Sequence, residues 1–327
     1  MCGCVYVKRR VASVGATVSG GFEALNRLTR RIVAAGAFGC ILSSAFPSNA
    51  KPPAAKVPPA KTRKAPGKTA SSAPPKPEPT VAYPLPDGRS PFTESMPGSL
   101  VTWEMVPIPA APGGKAFYMG RFEVMWDLYD IFAYRLDLTE TEKAAGVDAA
   151  ARPSKPYGAP DRGYGHIRYA ALGMHYQSAI RFCDWVSRRT GRKYRLPTEA
   201  EWEWAATAGR KPRTLSPVEL RQVAWFRDNA GDKAMEVGKL APNPWGLFDI
   251  LGNVGEFCLA PEGTEPGKEP IRGGCWNDKA PMVQFAARQY WQPDWQMSDA
   301  QIPKSKWWLS DGPYVGIRLV CDDAPAR

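Results

Sequence analysis

Histidine is almost absent from this chain: its 327 residues include two, His166 and His175. That count excludes a metal centre built from several histidines. Cysteine pairs with the Cys-x-x-Cys spacing of zinc sites are also missing. The seven cysteines are Cys2, Cys4, Cys40, Cys183, Cys258, Cys275 and Cys321.

Acidic residues are nearly missing from the first 80 positions, which carry 13 Lys and Arg against 2 Asp and Glu. The remaining 247 residues carry 30 of each sign, so the formal net charge of +11 belongs to the N-terminal quarter. Binding to nucleic acid needs a clustered basic face on the folded domain. A neutral folded region therefore gives no reason to expect a nucleic-acid partner.

The apolar run near the N-terminus is short for a membrane-spanning helix. IVAAGAFGCILSSAF (32–46) has 15 residues, whereas roughly 20 are needed. Three arginines precede it, and a small-x-Ala ending at Ala50 follows it, which is typical of a secretory signal. Residues 1–50 are therefore predicted to be a signal peptide or membrane-targeting segment of an exported protein, periplasmic or in the cell envelope. An uncleaved anchor and a lipoprotein modified at Cys40 are the alternatives, and membrane contact is expected only through this segment.

Proline and basic residues dominate the segment that follows. Residues 51–80 contain nine prolines, seven Lys and Arg and one acid. Such a chain buries too little apolar surface to offset the entropy lost on ordering. Residues 51–97 are predicted to be a disordered Pro/Ala/Lys-rich linker that holds the folded domain, 98–327, away from a membrane or wall.

Two segments of the predicted domain carry helical patterns. HYQSAIRFCDWVSRRTG (175–191) repeats apolar residues at helical spacing and ends at a glycine. Its predicted buried face consists of Ala179, Phe182, Cys183 and Val186. In RLPTEAEWEWAATAG (195–209), Thr198 and Glu201 have the spacing of a capping box, and Gly209 suits the left-handed position after the last turn.

Elsewhere the pattern favours short strands and loops. KAFYMGRFEVMWDLYDIFAY (115–134) begins with alternating apolar residues and becomes helical near Trp126, which predicts one or two strands followed by a helix. Beyond residue 209, short apolar pieces are separated by Gly, Pro, Asn and Asp. Large tryptophan rings can close a core in such a chain. The sequence therefore predicts a loop-dominated α+β domain.

Several blocks, in this order and spacing, resemble the formylglycine-generating enzymes, or sulfatase-modifying-factor family. They are FYMGRFEV (117–124), which is similar to the family's opening strand, RLPTEAEWEWAATAG (195–209), PNPWGLFDILGNVGEF (242–257), IRGGCWND (271–278) and GIRLV (316–320). The resemblance covers roughly residues 98–325. It implies the compact, loop-rich formylglycine-generating-enzyme-type variant of the C-type lectin fold. It also implies that Trp202 and Trp204 pack into the centre and that the glutamates beside them hold loop backbone.

The family's oxidative chemistry does not follow from the resemblance. In true members, two cysteines shortly after a Gly-Gly-Ser motif bind copper(I), which activates oxygen to convert a substrate cysteine to formylglycine, and copper(I) needs soft thiolates. Counting from the Gly-Gly pair, the two thiol positions fall on Asp278 and Val283, and Cys275 takes the place of the serine. Copper and copper-dithiol oxidation are therefore not expected.

A structural calcium ion is the cofactor that the resemblance does imply. DILGNVGEF is similar to the family's calcium loop, and on this chain the ligands would be the side chains of Asp249 and Glu256 and the carbonyls of Gly252 and Val254. Calcium accepts several hard oxygens at relaxed geometry. The alternative is that Asp249 and Asn253 only cap turns.

The cysteines of the predicted domain have more than one interpretation. Family members often join the helix cysteine that matches Cys183 to a cysteine after the final Gly-Phe-Arg, which implies a displaced Cys183–Cys321 disulfide here, since residues i and i+2 of a strand face the same side. Two buried thiols are the alternative. Cys258 and Cys275 would then be free thiols or a second pair. Cys275 is the candidate catalytic thiol, although no histidine lies near it in sequence to act as base.

Two functional hypotheses remain open at this point. The first is an exported family protein that serves as a modifying factor or divergent enzyme acting on a peptide or protein of the cell envelope. The alternative is a catalytically silent scaffold of the same fold that binds a protein or glycan. In both, the resemblance implies a substrate groove beside the Gly-Gly-Cys segment, formed by Trp276, Asn277, Asp278 and Arg288. Arg288 alternatively pairs with a core acid.

Overall fold

The computed structural model describes residue 85, residues 88–156 and residues 158–323. All of them belong to one compact unit, Ala70–Arg327. The predicted signal segment, the predicted linker up to residue 84 and the first three cysteines lie outside the described residues. Among the described helices, none combines the length and the apolar character that a membrane crossing requires.

Five α-helices occur in the described residues, and local signals fix their ends. They are α1 (Trp126–Ala133), α2 (Glu140–Ala144), α3 (Tyr176–Thr190), α4 (Glu199–Ala206) and α5 (Pro217–Val223). Helices α2, α4 and α5 each begin with a capping box, whose first residue is Thr139, Thr198 or Ser216. Helix α3 ends at Gly191, with φ of 73°. The predicted helix at 175–191, the capping box of α4 and the helix from Trp126 are confirmed.

The strands of the described part are short. They are β1 (Phe92–Ser95), β2 (Thr102–Ile108), β3 (Phe117–Gly120), β4 (Tyr194–Arg195), β5 (Ala224–Trp225), β6 (Leu251–Gly252), β7 (Gly255–Phe257), β8 (Ile271–Arg272), β9 (Val315–Gly316) and β10 (Val320–Cys321). One antiparallel sheet has the order β1-β2-β3-β10-β4. Strands β5 and β6 form a parallel pair, and β8-β7-β9 form a mixed sheet. The predicted loop-rich α+β class is confirmed.

The expectation that FYMGRFEV holds the first strand is wrong. Strand β3 is preceded by β1 and β2, which pair with Phe92 opposite Met105. Strand β1 lies inside the segment predicted as linker, so the fold begins upstream of residue 98. Its sequence, FTES, alternates between half-buried and exposed positions and offers the sheet one aromatic side chain. That is too little apolar pattern to predict a strand.

Aromatic packing closes the core despite the scarcity of long elements. Between α1 and α3, the rings of Tyr129, Phe132, Phe182 and Trp185 contact one another with centroid distances of 5.2 to 5.7 Å. A second buried cluster surrounds Trp202 of α4. Each ring buries a large area, so loops can enclose a core without long helices or strands.

Candidate functional site

The two tryptophans of α4 pack into the domain, as expected. Trp202 is fully buried, and its Nε1 donates to Oε2 of Glu256 at 2.8 Å. Trp204 is half-buried, and its Nε1 donates to the carbonyl oxygen of Pro109 at 2.8 Å. Both indoles thus contribute to the packing of the domain.

The glutamates of α4 mostly bind arginine side chains, which corrects the expectation that they hold loop backbone. Arg272 of β8 donates to Glu199 at 3.0 Å and to Glu203 at 2.7 Å. Glu201 does accept from a backbone group, the N–H of Thr198 at 2.8 Å, and it also pairs with Arg195 at 2.7 Å. The partners of Glu201 are close in sequence, whereas Arg272, which binds Glu199 and Glu203, is about 70 residues away.

A tight turn follows β8 and presents Cys275. Gly273 and Gly274 have φ of 90° and 71°. A Cβ on Gly274 would lie 2.5 Å from the carbonyl oxygen of Met282, so the turn requires glycine there. Cys275 comes next, with 4% of its surface exposed.

Neither of the two positions that correspond to the family's copper ligands offers a donor to a soft metal. Oδ2 of Asp278 accepts from the Cys275 N–H at 2.8 Å and from Nε2 of Gln289 at 2.6 Å. Asp278 therefore stabilises the turn around Cys275. Val283 is fully buried in the cluster around Trp202. A carboxylate engaged in capping and an alkyl side chain in the core cannot replace two thiolates.

An open cleft of about 420 Å³ lies beside this turn. Its lining mixes aromatic, amide and charged side chains: Cys275, Asn277, Asp278, Met282, Arg288, Gln289, Tyr290, Gln292, Asp294, Trp295 and Tyr314. Trp276 is buried behind it, with its ring 5.6 Å from that of Tyr314, and its Nε1 donates to the Pro313 carbonyl at 2.9 Å. Three of the four predicted groove residues, Asn277, Asp278 and Arg288, thus line one cleft together with Cys275. We call it the Cys275 cleft, and Trp276 supports its wall.

Arg288 lies at the mouth of this cleft and also forms an ion pair. Its Nε donates to Oε1 of Glu199 at 2.5 Å, and 48% of its side chain is exposed. Arg288 therefore both lines the cleft and pairs with an acid, so the two interpretations of this residue are compatible. The acid itself is only three-quarters buried, with 24% exposed.

All four described cysteines are free and buried. The expected Cys183–Cys321 disulfide is therefore wrong for this structure, and the alternative of two buried thiols applies. Burial raises the pKa of Cys183, Cys258 and Cys275, and it raises the pKa of Cys321 to about 11. A thiol that stays protonated is a poor nucleophile and metal ligand. Among these four, Cys275 alone lines the cleft.

A buried charge cluster lies at the predicted calcium loop. Arg318 is fully buried; its Nε donates to Oε1 of Glu256 at 2.8 Å, and its other nitrogens donate to three backbone carbonyls. Glu123 is also buried and accepts from Nδ2 of Asn253 at 2.9 Å and from the Val254 N–H at 3.2 Å. Together with Asp249, the cluster contains three carboxyl groups and one guanidinium.

The electrostatics of this cluster follow from that imbalance. Burial raises the pKa of Glu123, and the Asp249 carboxylate raises it further against the effect of Arg318. Burial also raises the pKa of Asp249 to about 6, although the Gly238 N–H and Arg318 act in the opposite direction. Oδ2 of Asp249 accepts from that N–H at 2.7 Å, whereas Oδ1 is buried and has no hydrogen-bond partner.

These residues suit a hard cation in part. The unpartnered Oδ1 of Asp249 is an available oxygen donor. Both oxygens of Glu256 are already engaged, one by Arg318 and one by Trp202. Asn253 binds the Met235 N–H through Oδ1, which matches its expected capping role. Within the described residues, no group of three or more His, Cys, Asp and Glu side chains has an arrangement suited to a metal ion.

Sequence reasoning missed three parts of the site. Glu123 and Arg318 stand inside the quoted blocks, but their buried charge had no local signal because their partners are more than 60 residues away. Trp295 and Tyr314 lie in stretches without periodicity, where a cleft-lining ring cannot be told from a core ring. His166 contacts two aspartates, and the sequence pattern around it indicates neither contact.

Comparison with known proteins identifies the family. Residues 110–301 match the model of the sulfatase-modifying factor enzyme 1-like domain. A Chlamydia pneumoniae protein named serine/threonine-protein kinase pkn1 is 30% identical over 133 residues, which cover 34% of this chain and 20% of that protein. The mouse formylglycine-generating enzyme is 26% identical over 158 residues, covering 38% and 41%. A bovine protein named inactive C-alpha-formylglycine-generating enzyme 2 is 27% identical over 128 residues, covering 35% and 40%.

The match to these curated relatives spans well under half of their length. Among solved structures, Treponema denticola variable protein 1 has a similar fold, with a TM-score of 0.52 and 23% identity over 71% of this chain and 99% of that one. The family match covers more than half of the chain, and it agrees with the blocks, the fold and the Gly-Gly-Cys turn described above. The chain therefore belongs to the sulfatase-modifying factor enzyme 1-like family, that of the formylglycine-generating enzymes.

Proposed function

We propose that this family member is a catalytically silent binding domain that holds a peptide segment of an envelope protein in the Cys275 cleft. The proposal rests on the residues at the two positions that correspond to the family's copper-binding cysteines. Asp278 caps the Cys275 turn, and Val283 is buried in the core. Without two thiolates the family's oxidation has no metal centre. The fold and its groove remain.

The alternative, a divergent enzyme or modifying factor, needs a reactive group in the cleft. Cys275 is the candidate, but burial raises the pKa of its thiol, and the Asp278 carboxylate raises it further. The Asp278 carboxylate hydrogen-bonds to this thiol and also accepts from Nε2 of Gln289. The carboxylate that contacts the sulfur thus stabilises the protonated thiol, which favours binding over nucleophilic catalysis.

The lining of the cleft favours a peptide as the occupant. Asn277, Gln289 and Gln292 can pair with backbone amide groups, because each amide side chain both donates and accepts. Trp295 and Tyr314 offer aromatic surface for an apolar side chain, as in the centres of protein interfaces. Arg288 and Asp294 place charges of both signs at the rim, which gives the cleft a means of selecting sequence.

We also propose that Asp249, with the carbonyls of Gly252 and Val254, holds the family's structural calcium. A divalent cation would neutralise the excess charge of the three buried carboxylates. Glu256 would then act mainly as the counter-ion of Arg318, since that guanidinium already occupies it. Export to the cell envelope remains the prediction from the N-terminal sequence.

Arrays of immobilised peptides and glycans, probed with the labelled full chain, test the binding function. We expect retention on a subset of peptides, with loss on Tyr314→Ala or Arg288→Ala. Val218→Ala is the control, because Val218 is 69% exposed on α5 and does not line the cleft. The proposal would be contradicted if both cleft variants were retained as well as wild type, if wild type were retained on glycans alone, or if it were not retained at all.

A further inference from the structure

One of the two histidines connects helix α1 to a turn that supports the Cys275 cleft. Nε2 of His166 lies 2.6 Å from Oδ2 of Asp130 on α1, and Nδ1 lies 3.1 Å from Oδ2 of Asp161. The ring also stacks on Trp126, with centroids 5.4 Å apart and planes at 14°. Both ring nitrogens thus face carboxylate oxygens.

This geometry matches the protonated form of the ring. A neutral imidazole has one N–H donor and one lone pair, whereas the imidazolium has two donors. Two ionised carboxylates can therefore both be satisfied by the imidazolium alone. In the neutral ring one nitrogen would present its lone pair to a carboxylate. When the ring is neutral, we expect the longer of the two contacts, the one to Asp161, to be lost.

Asp161 organises the turn that follows it. Its Oδ1 accepts from the Gly163 N–H at 3.0 Å, and its carbonyl oxygen accepts from the Tyr164 N–H at 2.9 Å. Gly165 leaves the turn with φ of 143°, where a Cβ would lie 2.3 Å from the ring of Tyr169. The carboxylate that contacts His166 therefore also fixes the backbone that positions Tyr164.

Tyr164 in turn supports the aromatic wall of the cleft. Its ring meets that of Trp276 edge to face at 5.5 Å, and Trp276 contacts Tyr314, whose ring lies 5.7 Å from that of Trp295. Tyr314 and Trp295 line the Cys275 cleft. A continuous row of contacts thus runs from His166 through Asp161 and Tyr164 to the binding surface.

We propose that His166 is a positioning residue, which as an imidazolium joins Asp130 to Asp161, holds the 161–164 turn and keeps the aromatic wall of the Cys275 cleft in place. The effect on peptide binding rests on the proposed function; the effect on the turn does not. Loss of the proton releases the turn, so the wall becomes less ordered as pH rises.

The charged surroundings of His166 agree with this direction. Partial burial lowers its pKa, but the hydrogen bonds and charges of Asp130 and Asp161 outweigh burial and raise the pKa above the usual 6.5. Two further titratable groups lie near these aspartates. The charge of Asp127 raises the pKa of Asp130, and burial together with the charges of Asp130 and Asp161 raises the pKa of Tyr134. The stabilisation is thus complete below pH 6.5 and is lost as the pH rises through the raised pKa of His166.

The presence of two histidines in the whole chain makes the test direct. In the full chain with isotope-labelled histidine, His166→Gln and His175→Gln assign the two ring signals, and a pH titration follows each. We expect the His166 signal to titrate above 6.5 and to shift down in Asp161→Asn, which keeps the acceptor for Gly163 but removes the charge. His175 is the matched control, because burial lowers its pKa. Titration of His166 at or below 6.5 would overturn the proposal.

Amide exchange measured by mass spectrometry tests the positioning role. At about pH 6, we expect segment 159–165 to exchange about tenfold faster in His166→Gln than in wild type, as for loss of one charge-assisted hydrogen bond. His175→Gln should match wild type there, and wild type should approach His166→Gln at about pH 9 after correction for intrinsic rates. Equal exchange in all three chains would refute the positioning role of His166. Peptide retention is a separate readout. If amide exchange changes in His166→Gln but no peptide binds to the wild type, the proposed function is contradicted and the positioning role of His166 is supported.

Discussion

Replacement of Trp202 by phenylalanine tests the interior of the site, because this indole is the single hydrogen-bond donor to Oε2 of Glu256 among the described residues. Glu256 is 1% exposed, so its carboxylate has no water to replace the lost donor. Loss of a hydrogen bond to a buried charge costs about 1.5–3 kcal/mol. The smaller ring leaves a cavity that adds about 1–2 kcal/mol. We therefore expect the free energy of unfolding to fall by about 3–5 kcal/mol.

Trp204→Phe on the same helix is the matched control. Trp204 is half-buried and donates to a neutral carbonyl, that of Pro109. Its replacement should cost about 1–2 kcal/mol. Urea unfolding of both full-length variants, followed by circular dichroism, gives the comparison, and a thermal midpoint about 10 °C lower is expected for Trp202→Phe. If Trp204→Phe is as destabilising as Trp202→Phe, the contact between Trp202 and Glu256 does not have the energetic role assigned to it.

Three further predictions concern the charge cluster and the Cys275 turn. Calcium should raise the thermal midpoint of wild type but not of Asp249→Asn, and an equal calcium response in the variant would exclude Asp249 as a ligand. With calcium removed by a chelator, wild type should lose stability as pH rises through about 6, because burial raises the pKa of Asp249. Iodoacetamide should label Cys275 at least about tenfold more slowly in the native chain than in urea; equal rates would mean an accessible, reactive thiol. Asp278→Ala should lower the free energy of unfolding by about 1–2 kcal/mol. Asp278→Asn keeps an acceptor for the Cys275 N–H and should lower it less. A larger loss for Asp278→Asn than for Asp278→Ala would refute the role of Asp278 in stabilising the turn.

Local signals in the sequence predicted local structure well. The Thr198–Glu201 capping box, the left-handed Gly209 and the buried face of α3 each depend on neighbours within about four residues, and all are present. Cys275, Asn277 and Asp278 also line the cleft, because they lie in or beside the Gly-Gly-Cys turn, which is itself a local feature.

Features that depend on residues distant in sequence could not be predicted from such local signals. The position of Cys321 two residues beyond the expected site fixes which side of β10 it faces, but not its distance from Cys183, and no disulfide forms. Arg318 and Glu123 meet through the packing of several loops, so their buried charges could not be inferred from spacing. The sequence likewise gave no reason to place His166 between two acids, one on α1 and one in a loop.

The most direct test of the account is a copper-dependent oxidation assay. The full chain is supplied with copper(I), a reductant and air, and incubated with a peptide containing Cys-x-Pro-x-Arg; aldehyde is trapped with a hydrazide and detected by mass spectrometry. We predict no aldehyde above the protein-free control and no stoichiometric copper, because the two donor positions are Asp278 and a buried Val283. Aldehyde formation with one copper per chain would contradict the central claim that this domain binds without oxidising.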